Sequence, residues 1–144
     1  MVSLLTSKKN MPATSSLDAN VLLDWLLERD KTRLAAINKL FATSQELHVT
    51  DLIIAEAVYV LQKQTKLSRE LIADFLRRVM NEEVRICNLA LINRALPLYV
   101  EHTMLSWVDC CAVVYAELNK ATPLYTFDKA LAKKLSRGAK LVSY

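Results

Sequence analysis

Short apolar segments alternate along this chain with longer stretches whose apolar residues recur every three or four positions. Strand and helix periods in such alternation leave few architectures, and a parallel sheet with crossover helices on both faces is the economical one. The first junction is Ser15-Ser16-Leu17-Asp18-Ala19-Asn20-Val21-Leu22-Leu23. It reads as a strand over about 13–17 entering a helix near 20–28, with Val21, Leu22, Trp25 and Leu26 on one buried face. Asp18 and Asn20 have short polar side chains that suit a helix cap. Alternatively, Asp18 stands at the carboxyl end of a parallel strand, where open α/β sheets place their ligands.

The same alternation continues. Asp30 precedes a helix carrying Leu34, Ile37, Leu40 and Phe41, and Leu47-His48-Val49 is a short strand. Thr50 or Asp51 caps the next helix. Inside it Glu56 lies three residues after Ile53 and four before Val60, on one face with both. A carboxylate on an apolar face is costly unless paired or metal-bound; the other reading is an edge residue that reaches water.

Ser68 caps a helix through about Met80, with Leu71, Ile72, Phe75, Leu76 and Val79 facing inward. Val84–Cys87 reads as a strand, and Asn88 caps a helix that Pro97 should kink or end. Ser106-Trp107-Val108-Asp109 has the spacing of a capping box, so Asp109 has a structural role open to it. Leu124-Tyr125-Thr126 is a strand, and Asp128 opens a last long helix with Leu131 and Leu135 buried. Gly138, the only glycine, falls where a helix end favours left-handed backbone, and Lys140–Ser143 forms a final strand. Residues 1–12 read as a flexible leader, with Met11 a possible native start, and 13–144 as a single domain without internal repeats.

Composition fits this reading. A chain of 144 residues, 53% of them hydrophobic, has enough apolar material for one sizeable core, and one Gly with three Pro argues against disorder. No apolar run reaches the roughly 18 residues of a membrane span, and the first residues lack the order of a secretory signal. A cytoplasmic protein is expected. Cys87, Cys110 and Cys111 have no zinc-binding spacing and read as reduced, buried apolar fillers. His48 and His102 read as ordinary polar residues. The net charge of +4 modestly favours an anionic partner.

Four carboxylates stand near strand ends or the starts of crossover helices: Asp18, Glu56, Asp109 and Asp128. In a parallel sheet these places share one edge, so the acids can meet there. Close like charges raise one another's pKa, and a cation is needed to keep such a cluster ionised. Oxygen ligands without His or Cys favour Mg²⁺ or Mn²⁺. Such an ion activates water and clamps phosphodiester oxygens.

These residues carry a resemblance. The chain resembles PIN-domain ribonucleases, and most closely the VapC toxins of bacterial toxin–antitoxin pairs. The matching segments are Leu17-Asp18-Ala19-Asn20-Val21, Ala55-Glu56-Ala57-Val58-Tyr59-Val60-Leu61, Asp109-Cys110-Cys111-Ala112 and Thr126-Phe127-Asp128-Lys129. The resemblance spans about residues 13–143 and implies a three-layer α/β/α fold with a central parallel sheet of about five strands. It implies Mg²⁺- or Mn²⁺-dependent RNA cleavage with Asp18, Glu56, Asp109 and Asp128 as metal-binding catalytic acids. Asn20 and Thr126 match positions that orient those acids. Ala19 stands where Thr or Ser is commoner, and the Cys pair where small residues are usual, but no acid is lost. The resemblance also implies a homodimer, for which helices bearing Leu71, Phe75, Tyr99 and Leu105 could supply apolar surface, and a small VapB-like antitoxin.

Lys120, Lys129, Lys133, Lys134, Arg137 and Lys140 face only Asp128 in the last 25 residues, a basic segment suited to a phosphate backbone. Lys129, Lys133, Lys134 and Arg137 are the expected RNA contacts; the alternative is a solvated face whose lysines favour the helix C-terminus. A receiver domain would want adjacent acids after the first strand, and a haloacid-dehalogenase-type phosphatase a second Asp where Asn20 stands. An RNA-processing nuclease that is not a toxin, or a PIN module that only binds RNA or a partner, remains the alternative.

Overall fold

A computed structural model describes residues 14–81 and 85–144. The expected leader and Val84, the expected start of the third strand, lie outside the described residues. The described chain alternates as expected: β1 (Thr14–Ser16), α1 (Ala19–Leu27), α2 (Lys31–Thr43), β2 (Glu46–His48), α3 (Asp51–Lys63), α4 (Arg69–Asn81), β3 (Arg85–Ile86), α5 (Leu89–Glu101), α6 (Trp107–Leu118), β4 (Leu124–Thr126), α7 (Lys129–Lys134) and β5 (Ala139–Leu141). It divides into two compact units. The first holds the chain to Lys66 with Asp74–Cys87, and the second holds Leu67–Ala73 with Asn88–Tyr144.

In the first unit β1 and β3 flank β2, all parallel, in the register Ser15↔Leu47 and Leu47↔Arg85. Two bonds extend the ladders past the strand ends: Leu17 N–H to the His48 carbonyl and Val49 N–H to the Ile86 carbonyl, both at 2.9 Å. Those bonds fix the backbone one residue before Asp18 and before Thr50. Helix α1 packs on α2 and α3, burying Leu22 and Leu26. Trp25 meets Phe41 edge-on at 5.7 Å, and the Arg78 guanidinium lies 4.8 Å from the Trp25 ring centre. Helix α1 ends on Glu28 in left-handed backbone at φ 50°.

In the second unit α5 and α6 pack along each other, joined by an edge-on contact of Tyr99 and Trp107 at 5.7 Å. Pro97 does not end α5, which continues to Glu101. Its ring removes one helical donor, but the turn beyond closes with His102 N–H on the Leu98 carbonyl. Arg69 takes the exposed carbonyls at this end: it donates to Tyr99 at 2.7 Å and Thr103 at 2.9 Å while lying over the Tyr99 ring.

Strands β4 and β5 pair in parallel, with Tyr125 opposite Lys140. Gly138 is not left-handed. It is small because α6 passes close: a Cβ there would stand 2.7 Å from Val113 Cγ1. The expected long last helix is six residues, since Leu135 already leaves helical geometry as its C-cap.

Among the described residues the strands form a three-stranded ladder in the first unit and a two-stranded ladder in the second. Two further expectations are corrected. Of the cysteines only Cys110 is fully buried, Cys87 and Cys111 being half-buried, and none is in a disulfide. Tyr99 and Leu105 are core residues, so they cannot supply an apolar surface for a second copy; of that set Leu71 alone is well exposed.

Candidate active site

Six helices begin on a side-chain cap. Asp30, Thr50, Ser68, Asn88, Ser106 and Asp128 each accept the backbone N–H three residues on. Asp18 holds the same N-cap position of α1, with extended backbone at ψ 160°, and its carbonyl accepts the Leu22 N–H at 3.2 Å. Its carboxylate makes no capping bond. Asp is among the best N-caps, so an exposed Asp that leaves the donors of its own helix untouched is available for other chemistry.

Glu56 is the sixth residue of α3, roughly 7.5 Å along the helix axis from its start at 1.5 Å per residue. Its side chain is exposed between half-buried Ile53 and Val60. The burial cost argued from its apolar neighbours is therefore not incurred; Glu56 reaches water at the rim of that face. Since β1 and β2 are parallel and α1 and α3 follow their carboxyl ends, Asp18 and the start of α3 belong to one edge of the three-stranded ladder.

Asp109 and Asp128 lie in the second unit. Ser106 and Asp109 form a full capping box, with Asp109 Oδ2 accepting the Ser106 N–H at 3.0 Å and Ser106 Oγ accepting the Asp109 N–H at 3.0 Å. Asp128 Oδ1 caps α7 through the Leu131 N–H at 3.0 Å, and the Thr126 hydroxyl accepts the Asp128 N–H at 2.9 Å. Thr126 thus fixes the backbone that carries Asp128. Helix α6 returns through residues 119–123 into β4, against which it packs, so its start and the end of β4 face the same way. In each capping acid the named bond uses one carboxylate oxygen.

The four acids fall two to a unit, and among the described residues no three His, Cys, Asp or Glu side chains group to hold a metal ion. The donors themselves fit a hard divalent cation: all are carboxylate oxygens on exposed or half-buried side chains. Asn20 is exposed and lines a shallow cavity of about 380 Å³ with Val21, Asp24, Arg33 and Ile37. Its side chain borders the cavity rather than capping α1.

The basic residues divide between two open grooves of the second unit. Lys129 and Lys133 line one of about 570 Å³ between α7 and β5, joined by Lys140. Lys134 and Arg137 line another of about 300 Å³ with Glu117, which pairs with Arg94. Sequence reasoning passed over Tyr125, Phe127 and Tyr144, all strongly exposed. The signal for two of them was Tyr125-Thr126-Phe127, two aromatics at the end of a strand, where a bend leaves them exposed.

Burial of the Cys110 thiol, reinforced by the charge of neighbouring Asp109, pushes its pKa up to about 11. The thiol next to the third acid is thus an apolar filler, as its place inside α6 demands. Among the described residues no helix is long and apolar enough to cross a membrane.

No curated protein matches the chain. A family model described as PIN domain matches residues 16–135, a span that takes in all four acids and belongs to a family whose members are generally metal-dependent nucleases. The chain belongs to the PIN-domain family.

Proposed function

We propose that the protein is a Mg²⁺- or Mn²⁺-dependent endoribonuclease, and that it is the toxin of a VapBC-type toxin–antitoxin pair. In this reading residues 13–144 are a single PIN domain of three-layer α/β/α type, and Asp18, Glu56, Asp109 and Asp128 hold the metal. The observation that carries it is Asp18, set at an N-cap with its carboxylate uncommitted to the helix. Bound there, a divalent ion would activate water and neutralise phosphodiester oxygens. The chain supplies the rest. The capping bonds at Asp109 and Asp128 fix one oxygen of each carboxylate, so neither must be ordered when substrate arrives. Thr126 orients Asp128, and the lysines of α7 bind flanking phosphates.

A four-acid pocket that is not saturated with metal carries excess negative charge. An antitoxin Arg would satisfy two carboxylates through its planar fork, so that partner binding and inhibition are one event. The protein is further proposed to be a cytoplasmic homodimer. Light scattering that returned a monomer mass across micromolar concentrations would remove the dimer.

The test is RNA cleavage by the purified protein with Mg²⁺, beside Asp18→Asn and Asp128→Asn. Wild type should cut and leave 5′-phosphate ends, while both variants remain folded and inert. Full activity in either variant sinks the metal-site assignment. Expression in a bacterial host should stop growth, Asp18→Asn should be harmless, and co-expression of a neighbouring small reading frame should restore growth. An active nuclease that leaves growth untouched is an RNA-processing enzyme rather than a toxin.

A further inference from the structure

The second unit presents aromatic rings to solvent where a folded chain would ordinarily bury them. Tyr125 is 63% exposed and Phe127 64%, and Tyr144 is fully exposed. Phe127 and Tyr144 pair with ring centres 5.8 Å apart and planes inclined by 32°. The pair is built by the fold: the Val142 N–H bonds the Thr126 carbonyl at 3.0 Å, which brings the chain after β5 alongside that after β4. Tyr125 lies in β4, and Phe127 follows at the bend directly after the strand's last residue, Thr126. Beside Tyr125 in register is Lys140, which lines a groove of about 570 Å³ together with Lys129 and Lys133.

Exposed rings close to a lysine-lined groove match one class of ligand. Single-stranded nucleic acid offers flat bases that stack on any aromatic face and a phosphate backbone that lysines neutralise. A duplex buries those base faces, and an apolar peptide would gain nothing from three lysines. Phe127 is also the residue directly before Asp128, so a base stacked on it would place its own phosphate close to that acid.

We propose that Tyr125, Phe127 and Tyr144 form a stacking strip for successive bases of single-stranded RNA, whose phosphates lie along the groove of Lys129, Lys133 and Lys140. This rests on the reading of the chain as a ribonuclease and names the face that holds its substrate. The aromatics are positioning residues. They select unpaired RNA and seat it with little regard to sequence.

The experiment measures anisotropy of a labelled octa-uridine on the full chain carrying Asp18→Asn, with the same RNA annealed to its complement as control. The single strand should bind at least tenfold tighter than the duplex. Phe127→Ala and Tyr125→Ala should each weaken it about tenfold, and Phe127→Trp should restore it, as a ring is needed rather than Phe itself. Lys133→Ala should lower the slope of log affinity against log salt by about 0.7. In the active chain Phe127→Ala should raise KM with little change in kcat, since the lost contact is to bound substrate. Cleavage that persists while both alanine variants bind the single strand normally would overturn the strip and leave the nuclease reading standing. Binding of neither RNA, with no cleavage by wild type, would overturn both.

Discussion

Ser106 and Asp109 hold each other at the start of α6, each backbone N–H donating to the other's side chain at 3.0 Å. Two orphan donors of the helix are satisfied by this exchange. The same carboxylate is one of the four proposed metal ligands, so its structural and chemical roles must be separable by substitution.

Asp109→Asn keeps a side-chain oxygen able to accept the Ser106 N–H. Stability should change by no more than about 0.5 kcal/mol, while RNA cleavage should fall by about a hundredfold or more, the scale of losing one charged contact in a reacting site. Ser106→Ala should do the reverse, costing about 1 kcal/mol of stability and leaving most of the activity. Thermal melts and cleavage rates on both variants check this. Full activity in Asp109→Asn would leave Asp109 as a cap alone.

Gly138 and Val113 give a packing test. A Cβ at position 138 would sit 2.7 Å from Val113 Cγ1, a separation that atoms do not tolerate. Gly138→Ala should therefore destabilise by about 1–3 kcal/mol through overpacking. Shortening the neighbour with Val113→Ala in the same chain should recover part of that loss, a coupling of about 0.5 kcal/mol or more. Urea denaturation of the two single variants and the double variant measures it. Simple additivity would show that the glycine is needed for some other reason.

What was legible in the sequence was the local chemistry. The caps at Asp30, Thr50, Ser68, Asn88 and Ser106 all stand where the residue types placed them, because capping is decided within four residues. The order of strands and helices was legible for the same reason, and the PIN assignment followed from four short segments in sequence. Features set by distant packing were not. Gly138 was read as a left-handed helix end because its neighbours along the chain suggest one, whereas its φ is not positive and its size answers to Val113 on another helix. The proline in α5 was read as a kink or an end, whereas the Arg69 guanidinium that holds the carbonyls at that helix end comes from thirty residues away. Asp109 was legible as both cap and ligand, and nothing within its own segment chooses between them.

The remaining prediction concerns a carboxylate outside the four. Asp24 lies in the first unit with its side chain 7% exposed, held by Arg29 Nε at 2.9 Å and by an Arg33 terminal nitrogen at 3.1 Å. Burial is the largest single influence and raises its pKa, but the hydrogen bonds from Arg33 and Arg29, with their charges, together leave the carboxyl below its ordinary 3.8. A carboxyl with a lowered folded pKa contributes stability above its unfolded value and loses it as pH falls through the folded one. Wild type should thus keep this contribution at pH 5–7 and shed it only below about 3.8. Arg29→Met or Arg33→Met alone leaves one partner and should cost little. Together they strand a buried charge, which should cost about 3 kcal/mol or more at pH 7. The sign of the pH dependence should then invert, because burial without partners raises the pKa, so the double variant should gain stability from pH 7 to pH 5. Urea titrations at pH 7, 5 and 3 read both effects. A double variant within about 1 kcal/mol of wild type at pH 7, with an unchanged pH trend, would show that Asp24 finds water and that the two arginines are ornamental to the first unit.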